Sequence, residues 1–461
     1  MNKARCFKAY DVRGRVPEDL NEDIAYKIGR AFVLHLKAKE VAVGHDIRLS
    51  SPSLLKALIS GITDEGANVI NLGLCGTEEI YHAAFSTSVD GGIVVTASHN
   101  PENYNGMKFV AAGARPISGE TGLKKIQSMV ETSDFPPTSV RKGGVRDVVS
   151  KTEYISHLLG YIDISKLRRL KIVVNSGNGG AGPIIDLLEK ELPFDFIKVH
   201  HDPDGSFPNG VPNPLLIENR NVTSAAIEEH DADLGIAWDG DFDRCFFFDE
   251  NGDFISGYYI VGLLARLLLD RDLEPNRKII HDPRLTWNTI DAVRSANGVP
   301  VMSKTGHAFI KERMRSEDAI YGGEISAHHY FKGFGYCDSG MIPWLLLAEL
   351  LSTKEQPFSN FINEAKSLFP SSDEINFNVD EPERLVDLIE QFYSPLAVHI
   401  EKIDGLSIGF SDWRFNIRMS NTEPVVRLNV ETRQSNELLL NKISELEAKI
   451  SEFSENKKSS N

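Results

Sequence analysis

The sequence predicts an α/β protein: three similar α/β units with mixed, mostly parallel sheets, followed by a smaller C-terminal α+β domain. Three observations carry this. Short β-branched runs alternate with helix-periodic segments over most of the 461 residues; the alternation restarts after the polar stretch Ser133 to Gly144 and again after Asp253; and beyond Pro370 short strands group between helices instead of alternating with them. Domains are expected at 1–145, 146–253, 254–368 and 369–461.

In the first unit Asn21 can cap a helix that carries Glu22 and Asp23 in its first turn, with Ile24, Ile28, Ala31 and Phe32 at helical spacing. Val41 to Val43 reads as a strand, Ser51-Pro52 as the start of a second helix that stops at Gly66, and Val69 to Leu72 as the next strand. Gly92-Ile93-Val94-Val95 is then a buried strand. Pro136-Pro137 and Gly143-Gly144 suit a linker.

The second unit has strands at Lys171 to Val174 and Phe196 to Val199 around a helix at Ile184 to Leu192. The third has an apolar helix at Tyr258 to Leu269, strands at Lys278 to His281 and Val299 to Met302, and a helix after Trp287. No convincing residue-level repeat links the three. In the last domain, strands near Ile375, Ser407, Phe415 and Val425 with helices at Glu381 to Tyr393 and Asn436 to Phe453 imply an antiparallel sheet.

Composition narrows the function classes. A net charge of -16 opposes broad contact with nucleic acid or an anionic membrane, so a small anionic substrate requires locally converging basic residues. Four scattered cysteines without a CxxC pair suit reduced thiols in the cytoplasm. The longest apolar segments, Tyr258 to Leu269 and Met341 to Leu351, are too short to span a bilayer and read as core helices.

Four stretches carry chemistry. Thr96-Ala97-Ser98-His99-Asn100-Pro101 stands at a strand exit, which makes Ser98 a turn or cap residue, or else a nucleophile or phosphate carrier. Asp239-Gly240-Asp241-Phe242-Asp243-Arg244 follows an apolar strand, and three carboxylates at alternate positions can converge on a hard cation such as Mg²⁺. An EF-hand is excluded because Arg244 stands where that loop needs glycine. Glu324, Ser326 and His328 alternate along Glu324-Ile325-Ser326-Ala327-His328-His329 and can meet sugar hydroxyls, although either histidine can equally be a packing residue or a metal ligand. Arg418-Met419-Ser420-Asn421-Thr422-Glu423-Pro424, with Arg427, offers the guanidinium and neutral donors that a phosphate needs. A fifth stretch, Gly177-Asn178-Gly179-Gly180-Ala181-Gly182, satisfies GxGxxG and raises a dinucleotide-binding rival, set against a plain tight turn; the acidic candidates Asp202 and Asp204 lie on a loop.

Taken in order with Phe7 to Gly14, Asn105-Gly106-Met107-Lys108 and Lys304-Thr305-Gly306-His307, these motifs closely resemble the α-D-phosphohexomutase family, most like its bacterial phosphomannomutase members, over essentially the whole chain. The resemblance implies four domains around a central cleft. It implies that Ser98 is phosphorylated and that Asp239, Asp241 and Asp243 bind one Mg²⁺ per active site together with a phosphoserine oxygen. Glu324 and Ser326 then meet sugar hydroxyls, as does His328, while Arg418, Ser420, Asn421, Thr422 and Arg427 hold the non-reacting phosphate. Tyr10, Arg244, Arg284, Gly306 and His307 join the substrate site, Arg284 standing where relatives often have lysine. Arg13 and Lys108, with His328 and His99, are the candidates to assist transfer or to orient the serine. The implied activity is a phosphomannomutase that interconverts mannose 6-phosphate and mannose 1-phosphate through a hexose 1,6-bisphosphate, which also serves as activator, and that feeds GDP-mannose synthesis. The alternative is a phosphoglucomutase or dual-specificity mutase. The implied partner is a hexose phosphate; none is expected among nucleic acids, membranes or obligate protein partners.

Overall fold

Asn21 opens the first helix, Glu22–Leu36, as its residue type dictates: its side-chain oxygen accepts the Ile24 N–H at 3.1 Å, and Glu22 and Asp23 sit favourably at the positive helix end. The next helix, Ser51–Asp64, carries Pro52 in its first turn, where the missing N–H costs nothing. Both lie on a sheet whose strands Glu40–His45, Asn68–Leu74 and Gly91–Val95 are parallel, with Tyr104–Ala111 and Val12–Arg15 added antiparallel. The computed structural model describes residues 4–272, 274–419 and 425–455.

The chain forms two compact units. One comprises residues 1–254 and 326–358, the other residues 255–325 and 359–461. The first holds two sheets of like plan: Glu40–His45 lies between two parallel neighbours, and Lys171–Asn175 lies likewise between Asp195–Val199 and Leu234–Trp238. In each, the flanking strand that comes later in the chain, Gly91–Val95 or Leu234–Trp238, pairs on its outer edge with an antiparallel strand. Helix Ile342–Lys354 also belongs to this unit. It is apolar all round and almost wholly buried, which fits a core helix, and among the described residues no helix is long and apolar enough to cross a membrane.

The second unit repeats the plan with Lys278–His281 between Val299–Met302 and Tyr321–Gly323, all parallel. Its C-terminal part is the expected antiparallel sheet, in the order Ile375–Asn378, Val425–Thr432, Trp413–Met419, Leu406–Gly409, His399–Glu401, covered by Pro382–Tyr393 and Asn436–Glu455.

One sequence expectation is refined and one corrected. The linker from Ser133 to Gly144 is held along the first sheet: Ser139 N–H and Gly143 N–H donate to the carbonyls of Asp64 and Thr63, and Val145–Asp147 then adds a parallel strand to that sheet. Proline and glycine mark its irregular path, and the first sheet supplies the backbone partners that a solvated linker would find in water. A residue-level repeat also exists. Gly44-His45-Asp46-Ile47-Arg48-Leu49-Ser50 and Ile280-His281-Asp282-Pro283-Arg284-Leu285-Thr286 leave the central strands of two sheets with matching bonds. Each histidine Nδ1 contacts the next carbonyl, and each arginine N–H donates to the aspartate Oδ1, at 3.0 Å for Arg48 and 2.9 Å for Arg284.

Candidate active site

The Gly91–Val95 strand is entirely buried, so its exit delivers the following loop at a fixed place. There Ser98 takes φ +48°, a left-handed conformation that costs a serine about 1–3 kcal/mol and persists only where neighbours impose it. Its N–H donates to Thr96 Oγ1 at 3.0 Å, and its hydroxyl donates to Asp239 Oδ2 at 2.7 Å. Arg13 binds the same loop, donating to Ala97 O at 3.2 Å and Asn100 Oδ1 at 2.5 Å, while Asp11 pairs with its Nε. Tyr10 lies half-buried just upstream.

The acidic loop approaches Ser98 closely because Gly240 has no side chain: a Cβ there would stand 2.9 Å from the Ser98 carbonyl oxygen. Asp239, Asp241 and Asp243 are all buried, and each offers an oxygen within 4.8 Å of the other two. Lys108 lies between them, with Nζ 2.7 Å from Asp241 Oδ2 and 2.5 Å from Asp243 Oδ2. Thr77 Oγ1 donates to Asp241 Oδ2 at 2.6 Å, and Arg244 Nη2 pairs with Asp239 Oδ2 at 2.7 Å. Asp241 Oδ1 and Asp243 Oδ1 are buried without a hydrogen-bond partner. Unmet carboxylate oxygens beside an all-oxygen donor set fit a hard divalent cation.

Electrostatics follow from this crowding. Burial raises the Asp243 carboxyl to about 6, helped by the charge of Asp241, whereas for Asp241 burial is opposed by Lys108, the Thr77 hydroxyl and Arg13, which together lower its pKa. Burial alone would lower the Lys108 pKa, but Asp241 and Asp243 raise it, so the ammonium stays charged. Arg244, and then burial, hold His99 well below the usual histidine value. His99 Nδ1 contacts Arg244 Nη2 and lies 3.2 Å from Ser98 Oγ, so a neutral ring accepts there.

His328 belongs to the same unit, with Nδ1 2.9 Å from Asp338 Oδ2 and 4.0 Å from Asp243 Oδ1. The expected row of Glu324, Ser326 and His328 is not one extended face: the backbone turns through Ala327 at φ +70°. His328 faces two carboxylates, Ser326 is half-buried, and Glu324 lies in the second unit.

In that second unit, Arg284 Nη2 pairs with Asp282 Oδ2 at 2.7 Å and lies 3.8 Å from Glu324 Oε2, which accepts the Gly306 N–H at 2.9 Å. Gly306 has φ +111°, open to glycine, and His307 starts the helix His307–Glu317. Thr305 contacts Asp404. Arg418 and Arg427 converge on one carboxylate, Glu374, at 2.7 and 3.3 Å. Ser420, Asn421 and Thr422 lie outside the described residues.

The glycine fingerprint is a structural turn. The N–H groups that would cradle a pyrophosphate already have partners: Gly177 on Asn175 Oδ1, Asn178 on His200 O, Gly179 on Ser176 O and Gly180 on Gly240 O. The loop therefore braces the aspartate loop. Sequence reading missed Thr77, Asp338, Glu374 and Arg48. The repeated His-Asp-x-Arg was the available signal for Arg48; the others are single residues distant in the chain.

The four domain models of the phosphoglucomutase/phosphomannomutase family match the chain: α/β/α domain I at residues 4–137, domain II at 152–252, domain III at 256–368 and the C-terminal domain at 374–447. The chain belongs to this family. It is 58% identical to a phosphomannomutase of Salmonella typhimurium over 439 residues, covering 94% of this chain and 96% of that protein, and 56% identical to one of Escherichia coli over the same shares. A Burkholderia thailandensis crystal structure of the same family is 32% identical, with a TM-score of 0.88 and 98% of each chain covered.

Proposed function

We propose that this protein is a phosphomannomutase, moving phosphate between C6 and C1 of mannose through phosphoserine 98. The observation that carries the reading is the Ser98 hydroxyl 2.7 Å from Asp239, in a buried cluster of three carboxylates with two oxygens unpaired. Relatives at 56–58% identity carry the name phosphomannomutase, which supports mannose as the sugar.

Mg²⁺ held by Asp239, Asp241, Asp243 and a phosphoserine oxygen supplies charge neutralisation for a transferring phosphoryl group. Arg244 and Lys108 stay cationic, so they add fixed positive charge beside Ser98 Oγ. The bond from phosphorus to Ser98 Oγ breaks as one forms to the free sugar hydroxyl, giving a hexose 1,6-bisphosphate. His328, whose Nδ1 lies 2.9 Å from Asp338 Oδ2, is the candidate to take the hydroxyl proton. The sugar then reverses, and its other phosphate returns to Ser98. Arg284, Glu324, Ser326, Gly306, His307 and Tyr10 recognise the sugar phosphate, and Arg418 and Arg427 with Ser420, Asn421 and Thr422 hold the phosphate that does not react. The same bisphosphate reloads a dephosphorylated serine. A charged sugar phosphate suits a cytoplasmic site of action and the supply of GDP-mannose.

³¹P NMR with mannose 6-phosphate, Mg²⁺ and a trace of hexose 1,6-bisphosphate tests this. Mannose 1-phosphate should appear, at higher kcat/KM than glucose 1-phosphate from glucose 6-phosphate. A reversed preference would overturn the mannose assignment, and release of inorganic phosphate alone would overturn the mutase reading.

A further inference from the structure

We infer that Arg48 is a positioning residue for phosphoryl transfer, holding the backbone of the Ser98 loop in the left-handed conformation that aims its hydroxyl at Asp239; this rests on the reading of Ser98 as the phosphoryl carrier. The guanidinium is 1% exposed and sits inside the loop. Nη2 donates to Ser98 O at 2.9 Å and Asn100 O at 2.6 Å; Nη1 donates to Pro101 O at 2.7 Å and Tyr104 O at 2.9 Å. Four carbonyls of one short segment thus converge on one planar cation, a geometry that a lysine ammonium cannot match from a single point.

The arginine is itself fixed. Asp46 Oδ2 lies 3.4 Å from Nε, Asp46 Oδ1 accepts the Arg48 N–H at 3.0 Å and the Ser51 hydroxyl at 2.6 Å, and the Phe207 ring lies under the guanidinium with its centroid 5.2 Å away. Asp46 N–H donates to Val95 O, the last residue of the strand that delivers Ser98. The hydrogen bond to Ser98 O matters most, because that carbonyl belongs to the residue at φ +48°, and the Gly240 backbone packs against it. Without it, the serine can relax to negative φ and swing Oγ away from Asp239. The matched copy of the motif shows that this is not a packing requirement of the motif itself: Arg284 has the same N–H bond to its aspartate but turns its Nη2 to Asp282 and Glu324.

The test is Arg48→Lys and Arg48→Ala, with Arg48→Gln as a further variant should the first not fold. Kinetics with mannose 1-phosphate, thermal melting, and ³¹P NMR of the phosphoserine are measured on the Mg²⁺-loaded full chain. We expect kcat per folded molecule to fall at least 10-fold with KM within threefold, a shifted phosphoserine ³¹P resonance, and partial recovery of kcat in Arg48→Ala on adding millimolar guanidinium ion. Unchanged kcat per folded molecule, or a kcat loss with neither ³¹P shift nor guanidinium recovery, would overturn the inference. Mass spectrometry of the wild-type protein separates the two readings. If no phosphate is found on Ser98 after incubation with hexose bisphosphate, the carrier reading fails; if phosphoserine is present and the variants are fully active, only the role of Arg48 fails.

Discussion

At the scale of single residues, Lys108 and its two aspartates illustrate how function strains stability. Asp241 and Asp243 are buried side by side, and among the described protein groups the ammonium of Lys108 is the one that bridges both. Removing one member of a buried charge cluster leaves the others uncompensated and costs about 3–5 kcal/mol. Lys108→Met should therefore lower the melting temperature markedly in EDTA and less in excess Mg²⁺, because a cation bound by the aspartates restores part of the compensation; equal losses in the two buffers would argue against metal binding by these aspartates. Ser98→Ala belongs beside it. It should abolish turnover while sugar-phosphate binding, followed calorimetrically, persists, and substantial residual mutase activity would reject the covalent role. Spaced acids and a strand-exit serine are local patterns, which made the aspartates and Ser98 legible, whereas Lys108 entered through the family resemblance. Arg48, Asp338 and Glu374 were not legible that way, since each acts through a partner far along the chain.

At the scale of elements, the helix Thr77–Ser86 ties the acidic loop to the rest of its unit. Thr77 binds Asp241, while Glu78, fully buried, accepts the Gly340 N–H at 2.6 Å and contacts the Tyr154 hydroxyl. Burial pushes the Glu78 carboxyl up to about 8, against the hydrogen bonds that favour its charge. A raised acid pKa means that the folded state holds a proton which the unfolded state, near 4.5, has released. The stability from this group is complete below pH 4.5 and declines as pH rises to 8. Glu78→Gln keeps an acceptor for the Gly340 N–H and removes the titration, so its melting temperature should fall less than that of the wild type between pH 4.5 and 8, in a pH series of thermal melts. Parallel slopes would refute a neutral Glu78. Hydrophobic periodicity gave most elements to within a few residues, from the Asn21 cap to the antiparallel C-terminal strands, because one-sided burial imposes it. It did not give the strand Val145–Asp147, which is exposed throughout and so carries no apolar signal.

At the scale of the whole molecule, one buried carboxylate gathers several bonds between an α/β part of the second unit and its C-terminal sheet. Glu431, on the strand Val425–Thr432, is fully buried and accepts from Tyr258 Oη at 2.5 Å, the Thr286 N–H at 2.7 Å, the Trp287 N–H at 3.0 Å and Arg414 Nη1 at 2.6 Å. Arg414 also donates to the carbonyls of Pro283 and Arg284, so the arginine proposed to meet substrate is anchored from the C-terminal sheet. Two of these donors are amides at the start of the helix Trp287–Ser295, where a negative charge is favourable. Glu431→Ala strands the buried Arg414 charge together with these two amides, a loss of about 3–5 kcal/mol for the buried pair alone. The C-terminal part has its own apolar core, including Phe415, Ile417, Leu428 and Leu446, and can stay folded when that joint is cut. Differential scanning calorimetry of Glu431→Ala should consequently show an additional transition that the wild type lacks, with KM for hexose phosphate rising more than kcat falls. A single transition at the wild-type temperature would show that these two parts hold together without Glu431.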